Sequence, residues 1–140
     1  MSAAPVASRR QARRVALVIL YQRDVTGHGL AELGARYERD AGAPVPGYAS
    51  ELIAAVSDRV VRLDGIISEH AHGWEASRIS PIERAALRIA VYELADRDDV
   101  PAAVAIDEAV RLAKRYGSPE AGVFVNGVLG GVARALGVGR

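Results

Sequence analysis

The sequence predicts an all-α protein of six or seven helices in one compact domain. Apolar residues recur at spacings of three and four, as on the buried stripe of a helix, most clearly at Leu52, Val56 and Val60. Serine–proline pairs, which start helices, stand at Ser80 and Ser118. No convincing run alternates apolar and polar residues as a half-buried strand does. A chain of 140 residues is long enough for a single domain with its own core.

The first predicted helix begins with a capping box, in which the Ser8 side chain and Gln11 satisfy free amide groups of the first turn. It runs to Thr26, where two glycines follow within three residues. Its middle, residues 15–21, is apolar almost all round, which is typical of a helix inside a bundle. Residues 1–7 are expected to form a disordered tail.

Two further helices are predicted between residues 30 and 72. A short one covers Leu30 to Asp40, and the proline- and glycine-rich residues 41–47 form a loop. A long helix then runs from Tyr48 to about His72, because its apolar residues draw one continuous stripe.

Three helices with clear start signals are predicted in the second half of the chain. Ser80 is followed by a proline and then by Glu83 at the capping-box position. Pro101 opens the next helix, which ends at Tyr116 before a glycine. Ser118 begins the last helix. Its interior contains four glycines, which destabilise a helix and therefore indicate close approach by another helix or by a partner, at Gly122, Gly127, Gly130 and Gly131.

Composition and motifs argue against several classes of protein. The chain has no cysteine, so disulfides, thiol catalysis and thiolate zinc sites are excluded. His70 and His72 are two residues apart and point to different sides of a helix, and no nucleophile elbow or phosphate-binding loop is present. The apolar run 15–21 is too short for a secretory signal or a membrane span. We expect a cytoplasmic protein with no catalytic residues, metal or cofactor, and with no membrane partner.

Four arginines crowd the start of the first helix, at Arg9, Arg10, Arg13 and Arg14, and no acidic residue precedes Asp24. Cations are unfavourable at a helix N-terminus, so helix stability does not explain them. Guanidinium groups pair well with phosphate oxygens, and the cluster therefore favours RNA or DNA binding over a merely solvated basic segment. Phe124 leaves two alternatives open, an exposed ring that stacks on a base or a ring partly buried in the bundle.

Three segments together resemble the NusB family of bacterial transcription factors. They are RRQARRVALVILYQ near the start, ISPIERAALRIAVYEL continued by DDVPAAVAIDEAVRLAKRYG, and VFVNGVLGGVAR near the end. The resemblance covers nearly the whole chain in order, except for residues 30–48, to which no function is transferred.

The resemblance implies an all-α fold of two small helical bundles. It also implies a transcription antitermination factor that binds boxA RNA together with NusE, a protein of the small ribosomal subunit, and so acts indirectly on RNA polymerase at ribosomal RNA operons. Some family members self-associate, so a homodimer is also considered.

The resemblance also assigns roles to residues of this chain. RNA contact is expected from the N-terminal arginines, from one arginine of the central helix, and from the aromatic and acidic positions of the last helix, namely Arg9, Arg10, Arg13, Arg14, Arg88, Glu120 and Phe124. Contact with NusE is expected from Tyr21 and Glu83. Gln11 occupies a usually basic position, so phosphate binding by the cluster is either weakened or transferred to Arg14. Three or four neutralised phosphates would give a log–log salt slope of roughly −2 to −3.

Two alternatives remain at this point. The chain could be a purely protein-binding helical module whose arginines only increase solubility. It could also be the N-terminal domain of a ribosomal RNA cytosine methyltransferase, which would require a longer protein with a cofactor-binding α/β domain.

Overall fold

The computed structural model of the chain describes residues 6–73 and 78–139, without the side chains of residues 6 and 7. In these ranges the chain forms seven helices and no strand, which confirms the all-α prediction. Among the described helices, none is long and apolar enough to cross a membrane. The helices are α1 (Val6–Thr26), α2 (Leu30–Ala41), α3 (Gly47–Asp58), α4 (Val60–His70), α5 (Pro81–Asp96), α6 (Ala102–Tyr116) and α7 (Pro119–Leu136).

The chain divides into two compact units, an N-terminal unit of residues 1–55 and a C-terminal unit of residues 56–140. In the N-terminal unit α1 packs against α2, and the apolar middle of α1 is buried as predicted, with Val15 and Leu17 fully inaccessible. The helix already includes Val6, so Ser8 lies within its first turn, and the prediction that Ser8 caps α1 is wrong. Residues 1–5 of the expected tail lie outside the described residues.

The long helix predicted from Tyr48 to His72 is two helices, because the chain leaves helical geometry at Arg59, with φ −115° and ψ 15°. The Arg59 guanidinium reaches Asp96 of α5 at 3.2 Å and lies 5.4 Å from the centre of the Tyr92 ring. These contacts hold the side chain of the break residue against a helix that is distant in sequence. No proline or glycine marks the site, so the apolar stripe alone predicted one helix.

Helices α4 to α7 form the bundle of the C-terminal unit, and α5 contacts each of the other three. Its apolar side chains are buried on almost every side, from Ala85 to Leu94. The predicted capping box is confirmed at its start. The Ser80 hydroxyl accepts from the Glu83 amide, and the Glu83 carboxylate accepts from the Ser80 amide. This local motif fixes where α5 begins, and therefore where Glu83 stands.

The glycines of α7 fall into two groups. A Cβ at Gly122 would lie 2.6 Å from Lys114 Cγ, and one at Gly131 would lie 3.1 Å from His70 Cδ2, so close packing accounts for both. At Gly130 the nearest neighbour would be an Arg134 nitrogen at 3.5 Å, an ordinary contact. Gly127 has no such neighbour within 4 Å. Helix packing therefore explains only part of the glycine pattern.

Candidate nucleic-acid interface

The arginine cluster, which is Arg9, Arg10, Arg13 and Arg14, occupies the first turns of α1, where the structure has no acidic residue. Arg10 is exposed, while Arg9 and Arg14 are half-buried. The positive end of the helix dipole adds to the field of these guanidinium groups. The start of α1 therefore places four basic side chains beside the positive end of a helix dipole, an arrangement that suits an anionic ligand.

Tyr48, at the start of α3, orders part of this cluster. The Arg9 guanidinium lies over its ring, 4.4 Å from the centroid, and the Arg13 guanidinium lies 5.8 Å from the same centroid. A cation held over an aromatic face gains electrostatic attraction and loses rotational freedom. This role of Tyr48 was not predictable from the sequence, because the pairing joins α1 to α3, which are far apart along the chain.

Arg13 is only 2% exposed. In this structure its side chain is almost entirely covered, which does not support the predicted direct contact with RNA, and that contact stays a prediction. Its place beside Tyr48 makes it a positioning residue inside the unit.

Three of the predicted residues form a single row on α1, namely Arg10, Arg14 and Tyr21. Their spacings of four and seven residues bring side chains onto one helix face, and all three are accessible to solvent. Eleven residues of helix separate Arg10 from Tyr21 by about 16 Å along the axis. One face of α1 therefore carries predicted RNA contacts at one end and a predicted protein contact at the other.

The second group of predicted residues meets in the C-terminal unit, in a cleft of about 410 Å³ near the starts of α5 and α7. Glu83, Glu120 and Phe124 line it together with Arg78 and Ser118, and we call it the Glu83 cleft. Glu120 is exposed in the first turn of α7, and Phe124 is half-buried one turn further on. Folding thus brings two expected RNA residues and one expected partner residue to the same concavity.

Glu83 also caps the start of α5. Its Oε1 accepts hydrogen bonds from the Ser80 amide at 3.3 Å and from the Ser80 hydroxyl at 2.8 Å. Any contact with a partner therefore involves a carboxylate that also caps α5, and removing the side chain would disturb both functions.

Arg88 does not line the Glu83 cleft. Its Nε and Nη2 donate to the two carboxylate oxygens of Asp64, each at 2.7 Å, and its side chain is 15% exposed. A two-pronged pair of this kind is strong and directional. The guanidinium is engaged in joining α5 to α4, a geometry that does not support the predicted contact with RNA, which stays a prediction.

No group of three or more histidine, cysteine, aspartate or glutamate side chains able to hold a metal ion is found in the described part of the chain. The chemistry that these surfaces offer is recognition, through guanidinium groups, an aromatic ring and a few carboxylates.

Comparison with known proteins adds an independent line of information. The profile of the NusB family matches residues 10–134. A transcription antitermination protein NusB of Beutenbergia cavernae is 39% identical over 92% of this chain and 91% of its own length. One from Bacillus velezensis is 41% identical over 89% of this chain and 94% of its own length.

Solved structures agree with the sequence relatives. A chain in the crystal structure of the antitermination factors NusB and NusE in complex with dsRNA superposes with a TM-score of 0.84 at 29% identity. The superposition covers 94% of this chain and 99% of that one.

Proposed function

Because the chain belongs to the NusB family, we propose that it is a transcription antitermination factor that binds boxA-type RNA together with NusE. Through that complex it would act indirectly on RNA polymerase, at ribosomal RNA operons. It would work in the bacterial cytoplasm, and it would catalyse no reaction. The observation that carries the RNA part of the proposal is the solvent-accessible row of Arg10 and Arg14 at the start of α1.

In this proposal the N-terminal unit supplies phosphate affinity. Arg10 and Arg14 reach solvent from one face of α1, and Arg9 is held in place by the ring of Tyr48. Three guanidinium groups near a positive helix end would neutralise about three phosphates of a single strand, which corresponds to a salt slope of about −2. Arg13 supports them from inside the unit.

The C-terminal unit would supply selectivity. Single-stranded RNA is read through unstacked bases that stack on aromatic rings and hydrogen-bond to polar groups. Phe124 offers a half-buried ring at the wall of the Glu83 cleft, and Glu120 lies one helical turn away at its edge. A carboxylate beside a polyanion repels it, so Glu120 would limit affinity for phosphates and favour a base that donates a hydrogen bond.

For NusE we propose two contact points, Tyr21 on α1 and Glu83 at the start of α5. Tyr21 is half-buried and presents a ring with a polar tip, a side chain well suited to protein interfaces. A few phosphate contacts alone bind weakly, and a second protein that also holds the RNA raises the overall affinity without adding RNA contacts on this chain.

The experiment that tests this function is fluorescence anisotropy of a labelled boxA-type RNA at two salt concentrations, with and without the cognate NusE. A scrambled RNA of the same length and composition is the matched control. We expect selective binding that tightens when NusE is added and weakens as salt rises.

Selective binding that does not respond to NusE would overturn the shared-complex part of the proposal. Equal affinity for the scrambled RNA would overturn the boxA part. If neither RNA binds in any condition, the chain is better described as a protein-binding helical module, or as a self-associated dimer whose partner surface is covered. Sedimentation of the chain alone separates those two descriptions.

A further inference from the structure

Phe124 also lines a second concavity on its other flank. This cleft has a volume of about 330 Å³ and is bounded by the end of α4 and by α7, through His70, His72, Val123 and Gly127. We call it the His72 cleft. None of these four residues belongs to the RNA-binding or partner-binding sets considered above, yet the cleft shares a wall with the Glu83 cleft.

The His72 cleft has an apolar side that faces solvent. Val123 is 73% exposed, and it directly precedes the half-buried ring of Phe124. An apolar wall with an aromatic member favours a flat, weakly hydrated ligand.

Gly127 keeps the cleft open. A Cβ at this position would meet no atom within 4 Å, whereas close neighbours account for Gly122 and Gly131. A glycine inside a helix is less stable than alanine, and packing within the described residues does not compensate for it here. Alanine at position 127 would make α7 more stable, so helix stability does not explain why this position is a glycine. The glycine leaves space in the cleft that a methyl group would fill.

The polar side of the cleft comes from His70, the last residue of α4, and from His72, which follows the helix. The His70 ring is fixed, with its Nδ1 3.0 Å from the Ile66 carbonyl oxygen. His72 is exposed and adopts a positive φ of 43°, a backbone conformation that side-chain-bearing residues seldom use. Its imidazole offers both a donor and an acceptor at the rim of an apolar cleft.

A ligand with a flat apolar face and a hydrogen-bonding edge fits this combination. We propose that the His72 cleft receives one unpaired nucleobase of the bound RNA, packed against Val123 and Phe124 beside Gly127, with His72 hydrogen-bonding to its edge. The proposal rests on the proposed RNA-binding function. It makes Phe124 a wall between two neighbouring clefts, and it makes Gly127 and His72 selectivity residues.

The test uses a pair of glycine variants on the same helix. Gly127→Ala adds a methyl group to the His72 cleft, and Gly130→Ala adds one a turn away, outside that cleft. Both variants should melt at a higher temperature than the wild type, because alanine stabilises a helix relative to glycine. Only Gly127→Ala should bind the boxA-type RNA more weakly, by about 5- to 100-fold, as expected when one base loses its stacking contact.

A second variant, His72→Gly, removes the imidazole and relieves the positive φ, so folding is preserved. We expect about a fivefold weaker affinity for the boxA-type RNA, within the range of one lost hydrogen bond. An oligonucleotide with one abasic site at the position that enters the cleft should bind both variants and the wild type equally.

Gly127→Ala and Gly130→Ala with the same RNA affinity would overturn the cleft proposal while the RNA-binding function stands. A wild type that binds no RNA would overturn both proposals. If Gly127→Ala weakens the binding of NusE but leaves the affinity for RNA alone unchanged, the cleft takes a protein side chain, and the nucleobase proposal is wrong.

Discussion

The arginine cluster on α1 and the clefts beside Phe124 differ in the way the chain builds them. The arginines lie within six consecutive residues of one helix. Glu83 and Phe124 are 41 residues apart and meet only because α5 and α7 pack together. The two surfaces also differ in chemistry, since one offers charge and the other an aromatic ring with apolar and polar neighbours.

This difference separates two properties of RNA binding. Charge attracts any phosphate backbone and is screened by salt, so it supplies affinity without selectivity. Stacking and edge contacts act on individual bases and respond little to salt. We therefore expect changes in the N-terminal unit to alter the salt dependence, and changes in the C-terminal unit to alter the selectivity. Four predictions test this division, in order of decreasing effect on RNA affinity.

The largest effect should follow from changing Arg9, Arg10 and Arg14 to alanine together. Each loses a charge-assisted phosphate contact, so the Kd for RNA should rise about 100-fold at low salt, and the salt slope should fall in magnitude by about 2. Anisotropy titrations at several salt concentrations measure both quantities. The control removes the same charge from three exposed arginines elsewhere, Arg39, Arg111 and Arg115. An equal loss in the control would mean that only net charge matters.

A smaller effect, confined to the boxA-type sequence, should follow from Phe124→Leu. Leucine keeps much of the buried volume but cannot stack on a base, so the affinity for boxA-type RNA should fall about 10-fold. The salt slope should not change, because no charge is removed. The scrambled RNA serves as the control and should bind as it does to the wild type. A change in salt slope would break the proposed division between the two units.

Glu83→Gln should weaken NusE binding several-fold without weakening RNA binding in the absence of NusE. Glutamine preserves the capping box with Ser80 while removing the charge, so the melting temperature should hold. Glu83→Ala is the comparison, because it removes both functions and should lower the free energy of unfolding by about 1 kcal/mol. Calorimetric titration with NusE measures the interaction. If the Glu83→Gln variant binds NusE with the affinity of the wild type, the charge of Glu83 has no part in the interface.

Arg88→Met should have no effect on RNA affinity, because this guanidinium is committed to Asp64. It should instead lower the free energy of unfolding by about 1–3 kcal/mol, since the partly buried Asp64 loses its partner. Changing Asp64→Leu as well should restore part of that loss, which chemical denaturation can measure. A clear drop in RNA affinity with an unchanged free energy of unfolding would show that Arg88 contacts RNA.

The sequence was most informative where the physical cause is local. The capping box at Ser80 and Glu83, the serine before α7 and the end of α1 at Thr26 all depend on neighbours within a few residues, and the structure confirms each. The three segments that resemble the NusB family likewise pointed to the family that the comparisons show.

Only the tertiary structure decided which of the predicted residues are exposed and which are engaged with other helices. Arg13 and Arg14 are adjacent arginines, yet one is buried and the other reaches solvent, because a helix turns successive side chains by about 100°. The ion pairs between Arg88 and Asp64 and between Arg59 and Asp96 connect parts of the chain that are far apart in sequence. The His72 cleft has the same origin. Local sequence specifies where a helix starts and which face is apolar, but the partner of a side chain is set by packing, which short-range pattern does not encode.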